Sequence, residues 1–272
     1  MPGLGLVNML KVLTINIWNR QGPWPQRRLL LRSGIERLAP DVVGLQEVIH
    51  ADVDSQAQLL SAGLGYRFAF GEAIPRGDGS AYGNAVLSKF PIERERVFPL
   101  PGADQDEPRS VLSVEVITPD GRVPVLVTHL AYRLEHGFVR ERQAQALADI
   151  LDKEVPRGGD YLPAILMGDF NASPDTTEIR FLLGLHALEG RSCCLADCYG
   201  ETGEPPGYTF DGRHNAFAAP WHERPRRIDY ILVRGPELNG RGKPMASQVV
   251  FTEVVDGITA SDHYGVFATI HM

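Results

Sequence analysis

The sequence contains few cysteines, no excess of positive charge and no long apolar run. Its three cysteines, an odd number, lie within six positions: Cys193, Cys194 and Cys198. We expect reduced thiols rather than a disulfide framework, and a zinc site is disfavoured because no CxxC pair accompanies them. No segment approaches the ~18 apolar residues of a membrane-spanning helix, so no transmembrane segment is expected.

The charge balance of the chain is acidic, with 27 lysines and arginines against 34 aspartates and glutamates. Nonspecific affinity for nucleic acids comes from lysines and arginines that neutralise phosphates, so general binding of polyanions is not expected. A local basic groove remains compatible with this balance. The segment Met1–Leu10 contains no basic residue, which disfavours a signal peptide and predicts a cytoplasmic protein.

The order of predicted elements indicates a single α/β (α+β) domain spanning residues 1–272. About a dozen short strands are interspersed with helices predicted at residues 26–38, 53–62, 138–155 and 175–185. Residues 71–83 are polar and rich in glycine, which predicts a loop. Hairpin turns are predicted between some of the strands and helices between others, which favours mixed sheets under helical layers. A monomer is expected.

The most informative segment is residues 162–174, where an apolar run ends in a glycine followed by polar side chains. The run Leu162–Met167 is continuous rather than alternating, as in a strand buried on both faces. Asp169 and Asn171 are two positions apart, so they point to the same side of an extended chain. A carboxylate at a buried strand end needs a metal ion or an arginine to offset its charge. The alternative is an ordinary turn, because these residue types also favour turns.

Polar side chains recur at the ends of apolar strands along the whole chain. They are Asn16, Glu47, His129, Asp169 with Asn171, Asp229, and Asp262 with His263. Each position alone has a structural alternative: a helix N-terminal carboxylate, a core histidine, a surface ion pair or a capped turn. Because strand ends in α/β folds converge on a crevice, the full set predicts one site.

The motifs around these positions are similar, in the same order, to those of the endonuclease/exonuclease/phosphatase superfamily. They are Thr14-Ile15-Asn16, Leu45-Gln46-Glu47, Thr128-His129-Leu130, Gly168-Asp169-Phe170-Asn171, Arg227-Ile228-Asp229-Tyr230 and Ser261-Asp262-His263. The resemblance covers nearly the whole chain. It implies a four-layer sandwich, with two packed mixed β-sheets flanked by helices, and divalent-metal-dependent hydrolysis of phosphoesters.

The expected cofactor is Mg²⁺, with Mn²⁺ as an alternative, because a hard cation prefers carboxylate ligands. Glu47 is the first candidate ligand, Asp262 is expected near the metal, and Asn16 supports the metal or a phosphate oxygen. The resemblance implies that Asp169 orients or deprotonates the attacking water. It also implies that Asn171 donates a hydrogen bond to the phosphoryl group.

Three further catalytic residues follow from the resemblance. Asp229 holds His263 in its working tautomer, and His129 donates to the phosphoryl oxygens. Family members differ in whether the aspartate or the histidine is the general base, so the choice between Asp169 and His263 stays open. The number of metal ions also stays open.

The substrate is the feature that the sequence determines least. Arg109 is a candidate phosphate clamp, with a surface arginine as the alternative, and Tyr132 is a candidate rim residue. The segment 201–227 combines aromatic, arginine and histidine residues, and we expect it to bind the substrate through Trp221 and Arg224. The acidic charge favours a small or lipid-linked phosphoester. The alternatives are a Mg²⁺-dependent endonuclease or exonuclease and an inactive binding domain on the same scaffold.

Overall fold

The fold is built from two six-stranded sheets that pack against each other. The computed structural model describes residues 9–102 and 108–272. The strands within these residues are β1 Met9–Asn16, β2 Val42–His50, β3 Arg67–Pro75, β4 Ala81–Ser88, β5 Ile92–Leu100, β6 Arg109–Thr118, β7 Gly121–His129, β8 Ile165–Asp169, β9 Ala196–Asp197, β10 Asp229–Val233, β11 Pro244–Val250 and β12 Gly265–His271. The α-helices there are α1 Trp24–Leu38, α2 Gln56–Ser61, α3 Gly137–Lys153, α4 Thr177–Leu182 and α5 Cys198–Thr202, with 3₁₀ turns at Leu134–His136 and Ala219–Trp221.

Both sheets are mixed, as the sequence predicts. The strand order is β11-β12-β1-β2-β4-β3 in the first sheet and β5-β6-β7-β8-β10-β9 in the second. β1 is parallel to β2 and β7 is parallel to β8, whereas the other neighbouring strands are antiparallel. Each sheet therefore has one parallel pair near its centre, and the polar strand ends of both pairs meet at one edge of the sandwich.

Among the described residues, three large apolar clusters hold the layers together. Val127 and Met167 belong to the core between the two sheets. Leu31 of α1 packs on the outer face of the first sheet, and Leu147 of α3 packs on the outer face of the second. Full burial of one such aliphatic side chain stabilises the fold by roughly 1.5–3 kcal/mol. The predicted four-layer sandwich is confirmed. Among the described residues, no helix combines the length and the apolar character needed to cross a membrane.

The glycine-rich segment 71–83 differs from its prediction, because much of it is strand rather than loop. β3 continues to Pro75, and β4 begins at Ala81. Gly71 and Gly83 lie on these neighbouring strands, and a Cβ atom at Gly83 would lie 2.0 Å from the carbonyl oxygen of Gly71. The glycines therefore permit a close approach of two strands, which in sequence is indistinguishable from a flexible loop. The sequence pattern also does not predict β9 and α5, because elements of two and five residues are too short to show a periodicity.

Candidate active site

Three neighbouring strands of the second sheet place polar side chains in one row. Asp169 ends β8, and in register it pairs with His129, the last residue of β7. On its other side it pairs with Asp229, the first residue of β10. Because residues paired in register project to the same face of a sheet, strand geometry alone brings these side chains together.

A glycine just before Asp169 allows β7 and β8 to approach each other. Gly168 has a φ of 146°, and a Cβ atom there would lie 1.9 Å from the carbonyl oxygen of Thr128. Beyond the strand, Asn171 adopts a left-handed φ of 51°, which asparagine tolerates better than most residues. Its backbone N–H donates to Oδ1 of Asp169 at 2.9 Å, and its side chain donates to the carbonyl of Leu130 at 3.2 Å.

The first sheet contributes Asn16 and Glu47 from its parallel pair. Nδ2 of Asn16 lies 3.2 Å from Oε1 of Glu47 and 3.0 Å from Oδ2 of Asp169, so this amide links the two sheets. Its Oδ1 accepts from the backbone N–H of Trp18 at 2.9 Å. Glu47 lies inside β2 rather than at its end, contrary to the prediction. A bulge at this point, with φ of 59° at Glu47, directs the carboxylate into the site.

The loop that precedes β12 carries His263. Ser261 attaches this loop to the end of β1, because its hydroxyl donates to the carbonyl of Asn16 at 2.7 Å. Nδ1 of His263 lies 3.0 Å from Oδ2 of Asp229, and its Nε2 lies 3.6 Å from Oδ2 of Asp169. The imidazole is therefore held between two carboxylates of the second sheet.

The two histidines of the site have opposite protonation tendencies. Burial alone lowers the pKa of His263, but the carboxylates of Asp229, Asp169 and Asp262 outweigh burial and raise it well above its ordinary value. Burial, with nearby positive groups, lowers the pKa of His129 well below its usual range. Nδ1 of His129 is buried and has no hydrogen-bond partner among the described residues. The surroundings of His263 therefore favour its protonated form, and those of His129 favour its neutral form.

Two of the buried carboxyl groups retain protons more tightly than usual. Burial raises the pKa of Asp169 to about 6 and the pKa of Asp262 to about 7, although His263 opposes both shifts. The negative charge of Glu47 also raises the pKa of Asp262. A divalent cation bound between these carboxylates would favour their charged forms and so oppose the rise in pKa.

Two sets of side chains offer ligands for such a cation. Ligand atoms of Asp169, Asp229 and His263 all lie within 4.8 Å of one another. In that set, however, Asp229 and His263 are already joined by a hydrogen bond, an arrangement suited to holding a proton. A cation that prefers oxygen ligands fits the neighbouring carboxylates better. These are Glu47 and Asp262, with Asn16 holding Glu47 in place.

The site opens into a cavity of about 220 Å³. It is lined by Asn16, Glu47, Tyr82, Arg109, His129, Tyr132, Asp169, Asn171, Phe210, Trp221, Glu223, Arg226, Ile228, Asp262 and His263. Of the predicted site residues, only Asp229 and Arg224 do not line it. Asp229 lies behind His263, to which it is hydrogen bonded, and Arg224 is exposed to solvent.

Sequence reasoning did not place five of the lining residues in the site: Tyr82, Phe210, Glu223, Arg226 and Ile228. Phe210 packs beside His263, with ring centroids 5.0 Å apart. Arg226 and Ile228 come just before Asp229, which pairs with Asp169, and strand alternation would put both of them on the opposite face. Their place in the cavity depends on how the chain folds before β10, which the sequence pattern does not predict.

The fold and the motifs match known proteins. The family model described as Endonuclease/Exonuclease/phosphatase family matches residues 13–263. Uncharacterized protein YbhP of Escherichia coli is 33% identical over 178 residues, which are 59% of this chain and 66% of that protein. The structure of an endonuclease/exonuclease/phosphatase from Beutenbergia cavernae is 25% identical with a TM-score of 0.71, covering 97% of this chain and 72% of that one. D. rerio TDP2 complexed with single strand DNA product is 19% identical with a TM-score of 0.74, covering 97% and 99% of the two chains.

Proposed function

Because the chain belongs to the Endonuclease/Exonuclease/phosphatase family, it is a metal-dependent phosphoester hydrolase, and we propose that it cleaves small or lipid-linked phosphoesters with Mg²⁺. The observation that carries this proposal is the set of side chains that line the cavity. Its floor, formed by Asn16, Glu47, His129, Asp169, Asp262 and His263, joins carboxylates that suit a cation to an imidazole ring hydrogen bonded to Asp229. Its volume of about 220 Å³ suits a phosphoryl group with a small organic part.

The cation would be held by the carboxylates of Glu47 and Asp262, and it would supply positive charge to the phosphoryl oxygens. Asn16 would fix the carboxylates of Glu47 and Asp169 relative to each other through its two hydrogen bonds. Because its oxygen is already used by a backbone N–H, we assign Asn16 this positioning role rather than direct ligation.

Asp169 is the proposed general base for the attacking water. The backbone N–H of Asn171 and the amide of Asn16 orient its two oxygens. Since Asp229 accepts from Nδ1 of His263, the Nε2–H of that ring is directed toward Asp169 and the cavity, where it would donate to a phosphoryl oxygen. His129 would be a second, neutral donor on the adjacent strand.

The upper part of the cavity would bind the rest of the substrate. Arg109 is buried at the start of β6 and hydrogen bonded to Tyr82, which suits a fixed phosphate clamp. Tyr132 and Trp221 are 41% and 52% exposed at the mouth, with their rings edge to face at 6.5 Å. Their flat apolar faces would contact the organic part of the ester.

A substrate screen tests the proposal. Chromogenic phosphodiesters and monoesters, a phospholipid, and single- and double-stranded nucleic acids would be incubated with Mg²⁺, with Mn²⁺ or with chelator. We expect metal-dependent release from small or lipid-linked esters, and none from an Asp169→Asn control. Turnover in excess chelator would contradict the metal role.

A nuclease is the second candidate function. It is favoured by the structural likeness to D. rerio TDP2, which was solved with a single strand DNA product. The net charge of −7 counts against it, because nucleic-acid affinity depends on phosphate neutralisation. Cleavage of an oligonucleotide at a higher kcat/KM than any small or lipid-linked ester would select this candidate instead.

A further inference from the structure

One wall of the cavity carries an ion pair that the hydrolytic scheme does not use. Arg226 and Glu223 both line the cavity, and Nη2 of the arginine donates to Oε2 of the glutamate. Nη1 of Arg226 donates to the carbonyl of Asn171 at 3.3 Å, which ties the guanidinium to the catalytic floor. The two side chains are only 8% and 18% exposed, so the pair is not an ordinary surface ion pair.

The guanidinium of Arg226 has more donors than protein acceptors. An arginine offers five N–H donors, and only its contacts with Glu223 and Asn171 supply acceptors among the described residues. Its Nε is buried and has no hydrogen-bond partner there. A buried donor without an acceptor costs free energy, so an oxygen atom of a ligand in the cavity would improve this arrangement.

The opposite charges of Arg226 and Glu223 determine which kind of ligand oxygen can bind beside them. A phosphate group bound at this pair, in addition to the one that is cleaved, would be attracted by Arg226 but repelled by the carboxylate of Glu223. The pair is therefore poorly suited to binding an anion. A hydroxyl group both donates and accepts. Its oxygen can accept from the arginine while its proton is donated to the glutamate, and both hydrogen bonds are charge-assisted.

Aromatic rings near the pair supply the apolar contacts that a carbon chain or ring needs. The guanidinium of Arg226 lies over the ring of Phe210 at 6.0 Å, and this ring also packs beside His263. Trp221 lies at the mouth of the same cavity. A hydroxylated carbon skeleton has C–H groups for such ring faces and hydroxyl groups for the ion pair.

We propose that Arg226 and Glu223 bind hydroxyl groups on the alcohol part of the substrate, so that the enzyme prefers phosphoesters of polyols. The inference rests on the proposed function, because the alcohol is recognised beside the phosphoryl group that is cleaved. It narrows the substrate class to esters of glycerol, sugars or other polyhydroxylated alcohols.

Direct binding measurements test the preference without requiring turnover. Glycerol 1-phosphate and propyl phosphate differ only in two hydroxyl groups, and each would be titrated calorimetrically into the Mg²⁺-loaded protein. We expect glycerol 1-phosphate to bind on the order of tenfold more tightly, as charge-assisted hydrogen bonds from a matched pair allow. In Arg226→Met and in Glu223→Gln the difference in affinity between the two ligands should fall below about twofold.

A second Arg–Glu pair provides matched controls. Arg37 and Glu253 are 2.7 Å apart, exposed, and absent from the cavity lining. Arg37→Met and Glu253→Gln should retain the full preference for glycerol 1-phosphate. Thermal melts of all variants identify any that fail to fold; Glu223→Gln, which keeps the size of the side chain, decides the test if Arg226→Met is lost.

Two results would overturn the inference: equal binding of the two ligands by the wild-type protein, or a preference that survives in both cavity variants. Hydrolysis of bis(4-nitrophenyl) phosphate is measured in parallel. Metal-dependent hydrolysis without a hydroxyl preference rejects the polyol inference and leaves the proposed function standing. If no ester is hydrolysed although both phosphates bind, the proposed function fails, and with it the assignment of these ligands as substrate fragments.

Discussion

Asp229 and His263 join the two sheets of the sandwich through a hydrogen bond of 3.0 Å between Oδ2 and Nδ1. Asp229 begins β10 in the second sheet, and His263 precedes β12 in the first. The bond keeps a proton on Nδ1, because this nitrogen donates to the carboxylate of Asp229. It also sets the direction in which Nε2 points.

The first prediction is that these two residues act as a unit. Asp229→Asn and His263→Gln should each lower kcat by on the order of 10²-fold or more, as expected for proton transfer or charge stabilisation. The double variant should lose little more than either single variant, because each change already disables the pair. These losses are measured by steady-state kinetics of the wild-type enzyme, the two single variants and the double variant at saturating Mg²⁺. Fully additive losses would show that the two side chains work separately.

The second prediction concerns the metal. Chelator should abolish hydrolysis, and Glu47→Gln should raise the Mg²⁺ concentration needed for half-maximal activity, because a carboxylate ligand is replaced by a weaker one. Asp169→Asn should instead lower kcat by on the order of 10²-fold at saturating Mg²⁺, since it removes the proposed base. Circular dichroism would verify that both variants are folded. An unchanged metal requirement in Glu47→Gln would remove Glu47 from the metal site.

The third prediction is a pH dependence of stability in the metal-free protein. Asp169 and Asp262 have pKa values of about 6 and about 7 in the fold, above those of an unfolded chain. Groups that bind protons more tightly when folded cost stability as pH rises from the unfolded pKa to the folded pKa, here from about pH 4 to about pH 7. In chelator, the contribution of Asp169 and Asp262 to the Tm should therefore fall across this range, whereas the lowered pKa of His129 acts in the opposite direction.

Two comparisons check this pH effect. Addition of Mg²⁺ should raise the Tm more at about pH 8 than at about pH 5, because the cation competes with protons for the carboxylate of Asp262. A variant carrying both Asp169→Asn and Asp262→Asn should lose most of the fall in Tm. If that variant shows the same fall as the wild-type protein, other groups are responsible.

The fourth prediction separates two residues of the segment between α5 and β10. Trp221 lines the mouth of the cavity, whereas Arg224 is exposed and outside it. Trp221→Ala should lower kcat/KM for the best natural-type ester by about tenfold, and less for a small chromogenic ester that does not reach the mouth. Arg224→Ala should leave both values within about twofold. Equal losses on the two esters for Trp221→Ala would mean that the segment does not set specificity.

The fifth prediction concerns the backbone that carries the site. Gly168→Ala would place a methyl group against the carbonyl oxygen of Thr128 and should destabilise the protein by roughly 2–4 kcal/mol. Gly77→Ala is the control, because no atom lies within 4 Å of the added methyl group and its φ is not in the left-handed range. Urea denaturation measures both. A loss of less than about 1 kcal/mol in Gly168→Ala would show that β7 and β8 can separate at low cost.

Much of the fold and of the cavity floor could be predicted from the sequence, because each depends on local patterns. Continuous apolar strands place His129 and Asp169 at their ends, and in-register pairing of β7 with β8 brings them together. Glu47 could not be positioned correctly, since its orientation depends on a bulge inside β2. The pair of Glu223 and Arg226 depends on how a long irregular segment folds over the sheets, which no periodic pattern encodes.

The floor of the cavity is carried largely by β-strands and the wall largely by the irregular segment 203–228. Under the proposed function, the reaction and the choice of ester therefore depend on two different parts of the chain, which can diverge at different rates. Homologues that keep the floor and change residues 203–228 are expected to share the chemistry while hydrolysing different esters. Transplanting this segment between such homologues would then transfer substrate preference without rebuilding the catalytic machinery.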